Sequence, residues 1–339
     1  MKMQFSKPVT EIIQQRYSCR TYLKAPIEED RRGALMEFIS NLPPGPFSTP
    51  SRFALAAATL QDRSELHGLG TYGFIRGAPA FIIGATVETP LSLEDFGYRM
   101  ETIILRATEL GLGTCWLGGT FTRGSFAHKI AARSDEIIPA VTSVGGIASN
   151  PRGFDRALRQ QIGAKDRLPW EELFFEKKFG AALNRENAGE YATPLEMVRL
   201  APSASNKQPW RVIKTGSRWH FYVQRTKGYL ESWVTPYVTG VIRKMLGVAD
   251  LQHVDLGIAM CHFELSAVAA GLKGKWEAMV FPLKSSDGKT IMVFPLKSSD
   301  GKTIMVFPLK SSDGKTISEP EVEKPNSLTE YVVSWTAEP

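Results

Sequence analysis

An internal similarity is the feature of this sequence that most restricts its fold. The segment DFGYRMETIILRATELGLGTCWLGGTF begins at Asp95 and aligns without a gap with DLGIAMCHFELSAVAAGLKGKWEAMVF, which begins at Asp255, 160 residues later. Apolar residues recur at helical spacing in both copies, and each copy then passes through a Gly-Leu pair, at Gly111 or Gly271, to a tryptophan. We therefore predict two equivalent amphipathic helices with glycine C-caps, produced by an ancient duplication. The alternative is that two core helices resemble each other by chance.

A loop that precedes each helix repeats at nearly the same offset. RLAPSASNKQPWRV in the second half aligns with NLPPGPFSTPSRF in the first. Phe47 and Thr49 occupy the positions that Asn206 and Gln208 occupy in the second copy. The first copy therefore keeps the outline of the loop and lacks its amides.

The coarse pattern of the chain predicts an α+β fold with two pseudo-symmetric lobes, residues 1–168 and 169–339. Its 339 residues suit two domains or two similar lobes. In lobe one we expect a helix after Pro26 and strands at AFIIGATV and near AVTSVGGI. In lobe two we expect strands at WRVIKT, WHFYVQ and EYVVSW, and a helix at TPLEMVRL. Thr193 and Glu196 predict a capping box for that helix, with Pro194 at its first position.

Composition and charge exclude several classes of protein. Hydrophobic residues make up 43% and charged residues 22%, which is ordinary for a globular chain. The three cysteines fit neither a disulfide framework nor a zinc site, which favours a reducing cytoplasm. No apolar run reaches the length of a membrane span, and the first residues lack the apolar region of a signal peptide. The net charge of +6 favours an anionic ligand such as a phosphate-bearing cofactor, and no nucleic-acid motif accompanies it.

A second, literal repeat lies near the C-terminus. MVFPLKSSDGKTI occurs three times without change, over residues 279–317. Each copy combines an apolar run with an SSDG turn signal, which predicts a β-meander. Its prolines predict edge positions in that meander. An insertion without function is an equally good interpretation.

The N-terminal segment QQRYSCRTY places Arg16, Ser18 and Arg20 at alternate positions. In an extended chain these side chains lie on one side, where two guanidinium groups and a hydroxyl suit a phosphate. The alternative is a solvated basic segment. Cys19 lies between the arginines, and we expect it to be a small core residue rather than a reactive thiol.

Three further segments offer groups for a flat, phosphorylated ligand. In PSASNKQPW, the side chains of Ser203, Asn206 and Gln208 suit a polyol and a ring edge, whereas Trp210 is expected in the core. In GLGTCWLGG, the two final glycines permit close approach of backbone amides to a ligand. In GAKDRLPWEEL, Lys165 and Arg167 form a second basic pair within reach of a phosphate. A helix-capping loop, a simple turn and ordinary surface charges are the respective alternatives.

Four segments together resemble the motifs of the FMN-dependent nitroreductases: RYSCR, PSASNKQPW, GLGTCWLGG and KDRLPWEEL. In that family a homodimer holds each FMN between the arginine segment of one subunit and the Pro-Ser loop of the other. Here the first half has the arginine segment but a degraded loop, and the second half has an intact loop but FEKKFG in place of the arginine segment. The chain therefore resembles a single-chain, duplicated branch with one competent cleft, and the resemblance implies a monomer.

The resemblance also implies an activity. Noncovalent FMN would accept electrons from NADH or NADPH and reduce a small molecule such as a nitroaromatic or a quinone. No side chain is required as a catalyst, no metal is implied, and His262 is expected to be a helix-surface or core residue. Alternatives are a flavin-binding storage or sensing protein without turnover, and a flavin-free interaction scaffold. The residues implied in FMN binding are Arg16, Tyr17, Ser18, Arg20, Leu117, Gly118, Gly119, Lys165, Arg167, Pro202, Ser203, Ala204, Asn206 and Gln208.

Overall fold

A computed structural model of the protein describes residues 5–61, 64–150, 153–161, 163, 166–226, 249–278, 281–284, 290–295, 304–307, 325 and 328–338. The chain divides into two compact units. Unit 1 comprises Met1–Leu168, Tyr191–Gln208 and Gly247–Ala270, and unit 2 comprises Pro169–Glu190, Pro209–Leu246 and Gly271–Pro339. The units interleave along the chain, so they are a different division from the lobes 1–168 and 169–339, which stay a prediction.

The described residues form helices and mainly antiparallel strands, as expected for an α+β fold. The α-helices are α1 (Val9–Gln15), α2 (Glu29–Ser40), α3 (Ser92–Glu109), α4 (Arg123–Lys129), α5 (Gly153–Gln161), α6 (Trp170–Leu173), α7 (Arg185–Ala188), α8 (Ala192–Leu200) and α9 (Leu251–Ala269). The strands are β1 (Ser51–Ala57), β2 (Ala80–Val87), β3 (Gly113–Leu117), β4 (Glu136–Ile137), β5 (Val141–Gly145), β6 (Phe174–Glu176), β7 (Trp210–Thr215), β8 (Arg218–Gln224), β9 (Lys273–Ala278), β10 (Phe281–Lys284), β11 (Thr290–Pro295), β12 (Ile304–Phe307) and β13 (Thr329–Glu338). Short 3-10 turns cover Ser64–Leu66, Gly189–Tyr191 and Ala204–Asn206.

Two five-stranded sheets share one strand order. The sheet of unit 1 runs β1-β2-β5-β3 through antiparallel pairs, with β4 beside β2. The sheet of unit 2 runs β6-β7-β8-β13-β9, in which only the β6–β7 pair is parallel. The path β7-β8-β13-β9 therefore repeats the order and directions of β1-β2-β5-β3.

Most predicted elements are confirmed. AFIIGATV is β2, WRVIKT is β7, WHFYVQ lies within β8, EYVVSW lies within β13, AVTSVGGI contains β5, and the helix after Pro26 is α2. The glycine C-caps are also confirmed, because Gly111 and Gly271 follow the ends of α3 and α9 with φ of +75° and +81°. Among the described residues, no helix combines the length and hydropathy that crossing a membrane requires.

The predicted capping box of α8 is wrong. The helix begins at Ala192, its N-cap is Tyr191, and no side chain caps it. The 3-10 turn Gly189–Tyr191 leads directly into the helix, so Thr193 already lies within its first turn and cannot act as the cap. The side chain of Glu196 accepts hydrogen bonds from Arg199 instead, with the Nε donor at 3.0 Å.

The literal repeat forms the predicted meander where the structure describes it. Strands β10, β11 and β12 pair antiparallel in that order as a separate sheet. The SSDG turns lie outside the described residues. Pro282 lies on the edge strand β10 as predicted, but Pro295 is the last residue of the central strand β11. A strand end accommodates proline because the hydrogen-bonded ladder stops there.

The core of unit 1 is organised around α3 and α9. The apolar face of α3, with Phe96, Met100 and Ile103 fully buried, packs on the sheet and against α2. The two long helices meet at glycines: a Cβ atom on Gly97 would overlap the carbonyl oxygen of Val254, and one on Gly257 would overlap that of Glu94. The backbones of the repeated helices therefore touch directly, through equivalent residues of the two copies.

Candidate functional site

The arginine segment leaves α1 in an extended conformation beside β3. Arg16, the C-cap of α1, has φ −63° and ψ 130°, and Ser18 pairs with Thr114 through an isolated parallel bridge. The side chain of Ser18 hydrogen-bonds Cys115, and the charges of Arg16 and Arg20 act on the Cys115 thiol. The three predicted residues therefore converge near one point on β3.

Cys19 has its own role within this segment. Its side chain is 4% exposed and lies against Gly113. Burial raises the pKa of the Cys19 thiol to about 11, which disfavours the reactive thiolate. The expectation of a core residue is confirmed.

Arg167 connects the arginine segment with the Pro-Ser loop. Its Nη1 donates to Asn206 Oδ1 at 3.3 Å, and its Nη2 donates to the carbonyl of Leu200 at 3.3 Å. Burial, followed by the neighbouring cations Arg16 and Arg199, lowers the pKa of Arg167 to about 10. Residues 16, 167 and 199 are distant in sequence, yet their charges act on one another in unit 1.

We call Arg16, Arg20, Arg167 and Arg199 the arginine cluster. Arg20 Nη1 is buried and has no hydrogen-bond partner within the part of the chain that the structure describes. Arg199 is paired with Glu196 and Arg16 with Glu101, whereas the positive charge of Arg20 and Arg167 favours an anion that accepts several hydrogen bonds. Arg199 was missed at the sequence level, where it looks like an ordinary charged residue on α8.

The Pro-Ser loop is held by its own polar side chains. Asn206 Nδ2 donates to the carbonyls of Gly163 (2.6 Å) and Asp166 (3.0 Å). Gln208 Oε1 accepts from Leu168 N at 2.9 Å, and Gln208 N donates to Ser203 Oγ at 2.8 Å. The side-chain amides predicted to contact a ligand thus tie the loop to residues 163–168. Because these hydrogen bonds hold the residues on both sides of Arg167, they also fix its position in the arginine cluster.

The backbone of the loop is constrained as well. Ser205, Asn206 and Gln208 have positive φ values of 50°, 55° and 49°. Residues other than glycine and asparagine rarely adopt this left-handed backbone conformation. The surrounding structure therefore has to hold the loop in it. Pro202 and Ala204 are partly exposed within it, and Trp210 is fully buried, as predicted.

A buried aspartate anchors each copy of the loop. Asp255 Oδ1 on α9 accepts from Ala204 N at 2.9 Å. Asp95 on α3 accepts from Phe47 N at 2.9 Å and from Thr49 N at 2.8 Å in the first copy. Burial raises the pKa of both carboxyl groups above the ordinary value. The matching aspartates that begin the aligned segments were the sequence signal for this role.

The glycine pair follows the end of β3. Leu117 ends the strand and is buried, Gly118 is half-buried and Gly119 is exposed. A Cβ atom on Gly118 would lie 2.5 Å from a methyl carbon of Leu251, and Arg123 Nη2 donates to the Gly118 carbonyl at 2.7 Å. A side chain at 118 would require the Leu251 side chain, on the first residue of α9, to move. The turn is also held by an arginine that the motif analysis missed.

A buried carboxylate lies beside Arg16 of the arginine cluster. Glu101 on α3 is fully buried, and its Oε1 lies 3.8 Å from Arg16 Nε and 3.0 Å from His262 Nε2. Its Oε2 accepts from Trp116 Nε1 at 2.8 Å. His262 is fully buried, so of the two expected positions, helix surface or core, it occupies the core. No motif marked Glu101, although an acid within an otherwise apolar helical face was a signal that could have found it.

The remaining predicted residues stand as follows. Tyr17 hydrogen-bonds Cys19, and Lys165 lies outside the described residues. Within the described residues, no group of histidine, cysteine, aspartate and glutamate side chains could hold a metal ion. Unit 1 therefore contains the arginine cluster, the constrained Pro-Ser loop and the glycine turn that follows β3.

The chain belongs to the nitroreductase family whose model is described as Putative TM nitroreductase, which matches residues 8–267. Comparison with curated proteins gives no match. Among solved structures, the nitroreductase of Thermotoga maritima MSB8 is 19% identical, with a TM-score of 0.50 over 82% of this chain and 92% of that chain. This likeness establishes a shared fold of mixed helices and sheets.

Two shorter proteins are also similar. A nitroreductase family protein from Clostridium difficile 630 is 20% identical, with a TM-score of 0.37 over 50% of this chain and 96% of that chain. A nitroreductase with bound FMN from Bacteroides fragilis NCTC 9343 is 21% identical, with a TM-score of 0.34 over 43% of this chain and 92% of that chain. These two likenesses are too partial to bear on the chemistry of this chain.

Proposed function

We propose that the protein is an FMN-dependent NAD(P)H oxidoreductase of the nitroreductase type. Its substrate is a small two-electron acceptor such as a nitroaromatic or a quinone, reduced in a ping-pong sequence. Family membership supports the class of protein, and the arginine cluster supports the cofactor. FMN, when bound, supplies the hydride-transfer chemistry, so the chain itself has to bind and orient.

The observation that carries this proposal is that the charge of Arg16 acts on Arg167 and lowers its pKa. Both are partly desolvated, and each lies in the electric field of the other. Glu101 balances part of the charge of Arg16. A phosphate monoester, which carries close to two negative charges and several acceptor oxygens, would balance more of the charge of the two arginines. The residues present therefore fit the phosphate end of FMN.

Each side chain then has a role in binding. Arg16, Arg20 and Arg167 hold the phosphate, and the Ser18 hydroxyl lies beside them, with Lys165 as a further candidate. The loop from Pro202 to Gln208 presents its backbone to the ribityl chain and ring, because its side-chain amides are engaged in holding it rigid. The Gly118–Gly119 turn presents backbone amides to the ring edge.

The test is a flavin spectrum with stoichiometry. We expect purified protein to carry one FMN per chain, to be bleached anaerobically by NADH or NADPH, and to be reoxidised by a nitroaromatic or a quinone. Protein without flavin absorbance after reconstitution with FMN would overturn the assignment. Flavin that is bound but not reduced would indicate a storage or sensing protein.

We further propose that the chain is a duplicated, two-lobe form of the family, active as a cytoplasmic monomer with one competent cleft. Three observations support this: the common strand order of the two sheets, the reciprocal glycine contacts of α3 and α9, and the equivalent aspartate anchors. One FMN per chain and a monomer in sedimentation are expected. Two FMN per chain, or an obligate dimer at micromolar concentration, would contradict the proposal.

A further inference from the structure

The buried carboxylate of Glu101 has two hydrogen-bond partners and one ion-pair partner. Trp116 Nε1 on β3 and His262 Nε2 on α9 lie 2.8 and 3.0 Å from its oxygens, and Arg16 Nε, at the end of α1, lies 3.8 Å away at ion-pair distance. The carboxylate is fully buried, and the Arg16 side chain is 6% exposed. A buried carboxylate is stable only when it is ionically paired and its oxygens are hydrogen-bonded, which these donors provide.

The contacts of His262 show how many protons the site holds. Its Nδ1 lies 2.9 Å from the carbonyl oxygen of Met197, which can only accept, so Nδ1 carries a proton. Its Nε2 lies 3.0 Å from Glu101 Oε1, and a hydrogen bond there requires one more proton on the nitrogen or on the carboxyl group. When His262 is the imidazolium and Glu101 is the carboxylate, the negative charge of Glu101 faces Arg16.

The repeat of the sequence shows that helix packing does not need this carboxylate. At the offset of 160 residues, Glu101 corresponds to Cys261 and His262 corresponds to Thr102. Thr102 and Cys261 touch each other across the same two helices, with Oγ1 and Sγ 3.4 Å apart. The neutral pair and the charged pair thus occupy equivalent positions. The two pairs differ in that Glu101, a member of the charged pair, forms an ion pair with Arg16.

From this asymmetry we infer that Glu101 is a positioning residue: supported by His262 and Trp116, it fixes the Arg16 guanidinium for the flavin phosphate. The inference rests on the proposed FMN function. The carboxylate does not touch the ligand; it restricts the rotamers of a long side chain, so that less entropy is lost when the phosphate binds.

The experiment compares FMN with riboflavin, which lacks the phosphate. Flavin-free full-length protein is titrated with each flavin, and binding is followed by flavin fluorescence. For Glu101→Gln we expect FMN affinity to fall about tenfold while riboflavin affinity is unchanged. Arg16→Gln should show the same selective loss, and the double variant should lose no more than Arg16→Gln alone.

A matched control exists on the same helices. Glu94 is also buried and pairs with a histidine of α9, His253, two helical turns away from Glu101. Glu94→Gln removes a Glu–His pair whose carboxylate is buried and whose histidine is partly exposed, and it should leave the ratio of FMN to riboflavin affinity unchanged. A change of that ratio in Glu94→Gln as large as in Glu101→Gln would overturn the inference.

Two milder variants keep the test decisive if Glu101→Gln does not fold. Trp116→Phe removes one donor to Glu101 and keeps an aromatic ring, and His262→Gln removes the ring that bridges to Met197. Both should weaken FMN selectively, by a smaller factor. The inference fails if neither alters the ratio, if Glu101→Gln weakens both flavins equally, or if the losses of Glu101 and Arg16 multiply. The proposed function fails separately, if the unaltered protein does not bind FMN.

Discussion

At the scale of single residues, the anchoring aspartate of the Pro-Ser loop makes a clear prediction. Asp255 is 3% exposed, and burial raises the pKa of its carboxyl group well above the ordinary value. The folded state therefore binds more protons than the unfolded chain above the unfolded pKa near 3.8, so this group lowers stability as pH rises through that value. Asp255→Asn keeps an acceptor for Ala204 N and removes the buried charge.

We expect Asp255→Asn to equal or exceed the parent in free energy of unfolding at pH 8, by up to about 2 kcal/mol. Asp255→Ala should instead lose about 1–3 kcal/mol, because Ala204 N is left without its acceptor. Urea unfolding at pH 5 and pH 8 measures both. Equal destabilisation by the two variants would show that the charge itself holds the loop.

The amides of the Pro-Ser loop illustrate what single residues could reveal from sequence. Asn206 and Gln208 were predicted there to belong to the site, from residue type and motif. Their hydrogen bonds to residues 163–168 were not predictable, because an amide serves a ligand and a neighbouring carbonyl equally well. Only the path of the folded chain brings that segment within hydrogen-bonding distance.

At the scale of elements, the crossing of α3 and α9 depends on glycine. A Cβ atom on Gly97 or Gly257 would overlap a backbone carbonyl of the facing helix, which cannot move as a side chain does. We expect Gly97→Ala or Gly257→Ala to lower the free energy of unfolding by about 3 kcal/mol, although alanine is the better helix former. Chemical denaturation gives the measurement.

Gly33 in α2 is the control for that prediction. A Cβ atom there would have no atom within 4 Å, so Gly33→Ala should stabilise the protein by up to about 1 kcal/mol. If the three substitutions had similar effects, close contact between the two helices would not be the reason for the repeated glycine.

A second prediction at this scale concerns the ion pair between β1 and β4. Arg52 on β1 donates to Glu136 at 2.8 Å and to the carbonyls of Ile130 and Ala131. The hydrogen bond from Arg52 lowers the pKa of Glu136 to about 2 from 4.5. The stabilisation is therefore present above pH 4.5 and is lost as pH falls toward 2.

Glu136→Gln should cost about 1–2 kcal/mol at pH 7, a figure reduced for solvent screening because Arg52 is 39% exposed. The difference from the parent should shrink as the pH falls toward 2, where Glu136 becomes protonated in about half of the folded molecules. Urea titrations across that range provide the check. A difference that does not vary with pH would assign the effect to packing.

At the scale of the whole molecule, the literal repeat is separable from the proposed site. Every residue implied in FMN binding belongs to unit 1, whereas residues 279–317 belong to unit 2. Deleting one 13-residue copy, residues 292–304, preserves the sequence on both sides because the copies are identical. We expect the flavin content per chain and the FMN affinity to remain those of the parent, measured by absorbance and titration. Loss of flavin on deletion would give the repeat a role in the site.

The sequence by itself determined the elements, their repetition and the motifs that resemble the nitroreductases, because helical periodicity, strand patterns and glycine caps are local properties of a chain. The tertiary structure decided which distant segments meet: Arg167 with Asn206, Glu101 with His262, and α3 with α9 through their glycines. It also decided that the compact units interleave along the chain. These meetings depend on burial and on the direct approach of backbones, which no local pattern records.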